Sequence, residues 1–217
     1  MSKQDDSILD IIKKRRTTKK YLKINVEFEK INNIIDAGMW APSSGNVQPW
    51  KFILVQNKEK KEEIEKAAFH QEWLSSAPVL LVVCANVDKT KRYYGVRGER
   101  LYVVQDCAAA IENMLLEATS LGLGSAWVGA FDEGELKRCL DIPDDIRPQA
   151  ILAFGYSDGE MVVPSKKEIS ACLYFEKYGE KEIKRKGLFP VGEHFKSAGK
   201  TVKQKVEEIK SKLFRKQ

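Results

Sequence analysis

Gly122-Leu123-Gly124-Ser125-Ala126-Trp127-Val128-Gly129-Ala130-Phe131 is the stretch on which the architecture of this chain turns. Glycine-rich runs of this kind suggest a dinucleotide site, in which a strand feeds a tight turn and a helix N-terminus receives the pyrophosphate. Two features exclude that reading. The spacing is G-x-G-x-x-x-x-G, and the glycines follow a long helical pattern instead of a strand. Gly122 suits the left-handed cap that closes such a helix, and residues 125–130 read as a short strand. Gly129 and Ala130, small residues at its end, leave backbone N–H groups open to a flat ligand.

Working outward, residues 97–121 form the longest helical pattern, with Ala108, Ala109 and Ala110 allowing close approach of another backbone. Pro78-Val79-Leu80-Leu81-Val82-Val83-Cys84-Ala85 is a continuous apolar run, as expected of a central strand covered on both faces. Residues 51–56 and 149–156 read as further strands, and 58–69 and 132–140 as surface helices. Toward the N-terminus, residues 27–40 place Phe28, Ile31, Ile34, Ile35 and Met39 on one helical side. Ser7 is an N-cap candidate before Ile8, Leu9, Ile11 and Ile12. The order predicts an α+β or α/β sheet flanked by helices.

Composition narrows the function classes. The 217 residues carry 37 Lys plus Arg against 31 Asp plus Glu, a net charge of +6. Residues 176–217 hold 13 basic and 6 acidic side chains, so the preceding body is nearly neutral. A nucleic-acid binder would usually carry a basic face on the folded domain, so none is expected as a partner. The tail shows a thin apolar stripe, Val202, Val206, Ile209 and Leu213, suited to docking on the body or on a partner chain; it lacks the Trp of a membrane-surface helix. Cys84, Cys107, Cys139 and Cys172 are widely spaced and read as lone thiols of a reducing compartment. His70 and His194 are too few for a metal cluster. Asp5, Asp6, Asp10 and a basic run in residues 1–20 speak against a secretory leader. No apolar run is long enough to span a bilayer, and Asp106, Glu112 and Asn113 mark residues 101–116 as a buried helix of a water-soluble fold. No membrane partner and a cytoplasmic location are expected.

Two further segments could carry chemistry. Arg15-Arg16-Thr17-Thr18-Lys19 offers forked guanidinium donors, hydroxyls and an ammonium suited to a phosphate monoester, although a charge run is more often a solvated face. Ala41-Pro42-Ser43-Ser44-Gly45-Asn46-Val47-Gln48-Pro49-Trp50 is a loop rich in amide and hydroxyl groups that could recognise a polar planar ligand, or could bond only to its own backbone. No acid–base pair, nucleophile triad or metal cluster stands out, so no residue is assigned as catalytic, and an enzyme built this way would take its chemistry from a cofactor.

These motifs in this order, with Gln105-Asp106 and Ala108 to Asn113 on the long helix ahead of the glycine-rich run and Phe154-Gly155-Tyr156 after it, resemble the nitroreductase family of flavin-dependent oxidoreductases over about residues 8–175. The resemblance implies an α+β homodimer, with a mostly antiparallel central sheet flanked by helices and FMN at the subunit interface. It implies a flavin domain over residues 1–178 and a basic extension, 179–217, that the family pattern does not cover. Arg15, Arg16, Thr17 and Lys19 match the segment that grips the FMN phosphate and ring edge. Pro42, Ser43, Ser44, Asn46 and Gln48 match the loop laid against the flavin by the second subunit. Gln71 matches a side chain near the pyrimidine edge. Trp127, Gly129 and Ala130 match the segment under the ring, with the Gly129 N–H facing flavin N5. Lys166 and Lys167 match a late basic pair at the phosphate.

Two departures are evident: the family more often has Ser at position 17 and Arg at 19, and its late pair commonly includes Arg. The implied activity is hydride transfer from NAD(P)H to the flavin, then reduction of a nitro, quinone or similar small acceptor. Same-fold alternatives are a reductive dehalogenase or a flavin-modifying enzyme, with residues 89–97 (Tyr93 and Tyr94 among them) as a candidate lid. A third is a non-enzymatic FMN-binding adaptor acting through the basic tail.

Overall fold

In the computed structural model the described residues are 7–159 and 162–181. The chain divides into two compact units, one ending at Val163 and one starting at Pro164. The tail stripe, His194 and most of the basic extension lie outside the described residues.

The first unit is built on four strands: β1 (Trp50–Val55), β2 (Val79–Asn86), β3 (Gly124–Val128) and β4 (Ile146–Gly155). Their order is β1-β2-β4-β3, and every pair is antiparallel. β2 lies between β1 and β4, and its apolar run serves two cores. Because side chains alternate across a strand, Val79, Leu81, Val83 and Ala85 enter one core, while Leu80, Val82 and Cys84 enter the other.

The first core is closed by α2 (Phe28–Met39) and α5 (Val103–Ser120), which contribute Ile31, Ile34, Cys107, Ala110, Ile111 and Met114. The second is closed by α3 (Lys58–Ala67) and α6 (Glu133–Cys139) through Ile64, Ala67 and Leu136. Helices therefore cover both faces of the sheet. Burial pushes the Cys84 and Cys107 thiols up to about 12, so both stay neutral and inert in these cores. Among the described residues no group of side chains could hold a metal ion, and no helix is long and apolar enough to cross a membrane.

Three sequence expectations change. The pattern over 97–121 is not one helix. α4 (Val87–Arg97) runs into a π turn (Gly98–Tyr102) before α5 begins. Gly98 permits it: a Cβ there would sit 2.5 Å from the Thr90 carbonyl oxygen, so only glycine lets the turn pack that closely. The candidate lid is accordingly most of α4, capped by Asn86 and interrupted at Gly95, whose φ of 58° and ψ of −146° few other residues adopt. Finally, Phe28 and Met39 do not join Ile31 and Ile34 inside; both are exposed, as is Trp40.

The second unit contains α7 (Ile169–Cys172), with Lys181 donating to the Ser170 and Leu173 carbonyls and lying over the Tyr174 ring.

Candidate functional site

α1 (Ile8–Lys14) delivers the basic segment. Its start is fixed by a capping box: Ser7 Oγ accepts the Asp10 N–H, and the Asp10 carboxylate accepts from the Ser7 backbone N–H. The Ser7 hydroxyl donates to the same carboxylate at 2.6 Å, and this bond is the main cause holding Asp10 below the ordinary carboxylate range. Lys13 and Lys14 in the last turn suit the negative end of the helix. Arg15 then leaves the helix in an extended conformation.

From there the chain lies along the free edge of β3. Thr17 bridges Ser125 in parallel, and the Thr18 N–H donates to the Ser125 carbonyl at 2.9 Å. Tyr21 anchors the far end, its buried hydroxyl donating to the Thr18 carbonyl at 2.7 Å. Burial raises the Tyr21 pKa well above its ordinary value, so the hydroxyl remains a donor. Gly124 makes the approach possible, because a Cβ on it would collide with the Thr18 side chain. Replacing Gly124 by alanine is expected to destabilise the fold by about 1–3 kcal/mol through overpacking and to displace residues 15–19. Denaturant unfolding together with ligand titration would detect both effects; an unchanged unfolding midpoint would refute the close-packing account.

Within this segment Arg15 and Arg16 are half-buried, while Thr17 and Lys19 are exposed. Arg15 Nε lies 3.8 Å from Glu112 of α5. Arg16 donates to the Lys13 and Arg15 carbonyls, which orients its guanidinium. Lys19 sits over the Trp73 ring at 5.4 Å. Trp73 follows Gln71 on a segment that begins with Phe69 and His70, both at positive φ. The Gln71 amide donates to the Ala68 and Ala130 carbonyls, so Gln71 and Ala130 are brought together. Trp127 is the one exposed residue of β3, and a Cβ at Gly129 would meet nothing within 4 Å. The sequence-predicted residues Thr17, Trp127, Gly129 and Ala130 thus gather on one edge of the sheet, with Lys19 and Gln71 attached to it.

The loop over 42–48 is a separate, rigid piece. Ser44–Asn46 forms a single 3-10 turn, and Gly45, Asn46 and Gln48 all have positive φ. Asparagine tolerates that region and glutamine does so rarely, so Gln48 must be held by its surroundings. Its N–H donates to Ser43 Oγ at 3.0 Å and its amide to Asn46 Oδ1 at 2.9 Å. Lys89 of α4 donates to the Val47 carbonyl, and the Tyr94 hydroxyl fills the space where a Gly45 side chain would be. Asp106 Oδ1 accepts both the N–H and the hydroxyl of Ser44.

Pro42 is exposed at the start of this loop. Lys166 and Lys167 are exposed residues of the second unit, ahead of α7. Trp73 was given no place by sequence alone, Tyr94 entered only through the candidate lid, and Asp106 only through the helix motif Gln105-Asp106, with no partner assigned to it. For Asp106 a signal existed: an acid on the helix face shared with Val103, Cys107 and Ala110.

Known proteins resemble this chain in sequence and in fold. A protein of Archaeoglobus fulgidus, provisionally named NADH dehydrogenase/NAD(P)H nitroreductase, is 36% identical over 159 residues, covering 71% of this chain and 88% of its own. An NAD(P)H FMN reductase of Bacillus subtilis is 30% identical, covering 70% of this chain and 66% of its own length. Among solved structures, an FMN-dependent nitroreductase of Clostridium difficile superposes with a TM-score of 0.69 at 26% identity, covering 78% of this chain and 99% of that one. The sequence profile described as the nitroreductase family matches residues 12–71 and 65–156. With its helix-covered antiparallel sheet and its edge-bound basic segment, this chain belongs to the nitroreductase family.

Proposed function

We propose that the chain is an FMN-dependent NAD(P)H oxidoreductase that reduces a nitro, quinone or similar small acceptor. The observation that carries this reading is the bridge from Thr17 to Ser125, which lays a basic segment along β3, the strand that leads into the open backbone at Gly129. Phosphate donors and a floor for a flat ring then share one sheet edge.

The residues fit FMN on chemical grounds. A dianionic phosphate matches Arg15, Arg16, Lys19 and the Thr17 hydroxyl, in which Lys19 supplies charge without the fork of an arginine. For Lys166 and Lys167, exposed residues of the second unit, a phosphate role is supported by the family pattern alone. The absence of any side chain at Gly129 suits close approach of a planar ring, with Trp127 and Ala130 flanking it and Gln71 at its polar edge. FMN, when bound, supplies the two-electron chemistry between the nicotinamide and the acceptor. The protein binds and orients: guanidiniums hold the anion, the Gly129 N–H is left as a donor, and the braced loop of Pro42, Ser43, Ser44, Asn46 and Gln48 presents amide and hydroxyl groups in fixed directions.

The same reading makes the protein a homodimer whose loop serves the partner's flavin. Exposed Ile8, Leu9 and Ile12 of α1, and Phe28 and Met39 of α2 with Trp40 at its C-terminal cap, support a protein partner. It also assigns residues 1–178 to the flavin domain, residues 179–217 to a basic extension, and the protein to the cytoplasm.

The test is the visible spectrum of the purified protein before and after FMN is added, followed by NADH or NADPH. A yellow protein bleached by a nicotinamide and reoxidised by a quinone or nitroaromatic is expected. A protein that stays colourless with FMN present sinks the reading.

A further inference from the structure

Asp106 stands where a helix packed into a core has no need of charge. It shares a face of α5 with Val103, Cys107 and Ala110 and is only 5% exposed. A buried carboxylate persists only where hydrogen bonds compensate its lost hydration. Here Oδ1 accepts the N–H and the hydroxyl of Ser44, each at 2.9 Å. Oδ2 has no partner among the described residues. The acid therefore belongs to no core network; among the described residues its hydrogen bonds all come from Ser44, in the turn over 44–46. An apolar residue of similar size would avoid the desolvation, so its presence is explained by its effect on Ser44.

That effect follows from donor and acceptor counting. A hydroxyl has one proton and two lone pairs, whereas a carboxylate only accepts. The Ser44 proton is thus committed to Asp106, and the hydroxyl keeps accepting capacity alone. With the Ser44 N–H bound to the same oxygen, backbone and side chain are fixed together. Ser44 itself is only half-buried. We propose that Asp106 is the positioning residue of this turn: it acts through Ser44, holding it as an obligate acceptor for an N–H or O–H donor of the bound cofactor. FMN carries such donors on its ring imide and its ribityl chain. The inference rests on the FMN reading above.

The test titrates FMN into FMN-free protein by flavin fluorescence and records thermal unfolding of the same samples. Asp106→Leu is expected to weaken FMN binding about 10- to 100-fold, the scale of a lost charge-assisted hydrogen bond, while its melting temperature holds or rises. Ser44→Ala is expected to match that loss, and the double variant to be no weaker than either single one. Asp106→Asn, which keeps an acceptor oxygen, is expected to stay within about threefold of the unsubstituted protein. A merely structural role would lower stability and affinity together. FMN binding unchanged in Asp106→Leu, or losses that add in the double variant, would overturn the proposal. If Asp106→Leu does not fold, unchanged binding by Ser44→Ala overturns it equally. An unsubstituted protein that binds no FMN would instead overturn the cofactor reading.

Discussion

Arg15→Ala combined with Arg16→Ala is expected to weaken FMN binding about 10²- to 10⁴-fold, from two charge-assisted contacts of about 1.5–3 kcal/mol each. The fold should survive. Arg15 makes a long, partly exposed pair with Glu112 at 3.8 Å, and such pairs contribute at most about 1 kcal/mol. Among the described residues Arg16 bonds only to nearby carbonyls of its own segment. The loss should therefore appear in a fluorescence titration with the melting temperature nearly unchanged. Lysine at both positions should fall between, since it restores charge without the forked geometry. Affinity unaffected by the double alanine variant would remove this segment from the phosphate site.

Phe154→Ala should be the most damaging single truncation in the core. Phe154 is 2% exposed. It stands opposite Val79 of β2 and Ser125 of β3, within the core closed by α2 and α5. Removing a buried phenyl ring costs about 3–5 kcal/mol, a large share of the roughly 5–15 kcal/mol that keeps a domain folded. Because Ser125 is the backbone partner of Thr18, the change also undermines the platform for the basic segment. Chemical denaturation would measure it, and a loss below about 1 kcal/mol would mean that the surrounding core collapses to fill the space.

Much of the architecture was legible because it rests on local patterns. The run at residues 78–85 reads as a strand buried on both faces, and its alternate residues do divide between two cores. The cap at Ser7 marks a helix start in the residue itself. What escaped the sequence depends on distant atoms. The break before α5 comes from contact between Gly98 and the Thr90 backbone, which no helical periodicity records. Phe28 and Met39 follow the apolar spacing of α2, yet a single chain offers them no core.

The site divides the same way. The residues of the basic segment, the loop and the strand end were all identifiable by type and order. Their attachments were not: Lys19 to Trp73, Gln71 to Ala130 and Ser44 to Asp106 each join elements far apart in the chain. Nor could composition foretell the left-handed backbone at Gln48, Phe69 and His70, which neighbouring contacts impose on residues that seldom adopt it.

The segment along β3 has a second consequence. β3 ends the sheet, and an uncovered edge strand is a template for adding another chain. The bridge at Thr17 and the bond from Thr18 occupy that edge. Thr17 and Thr18 thus also blunt that edge, and a change that loosened them would bare it for strand addition. Solubility during synthesis is thereby coupled to this stretch, and a bound anion that steadies it would protect the protein from aggregation.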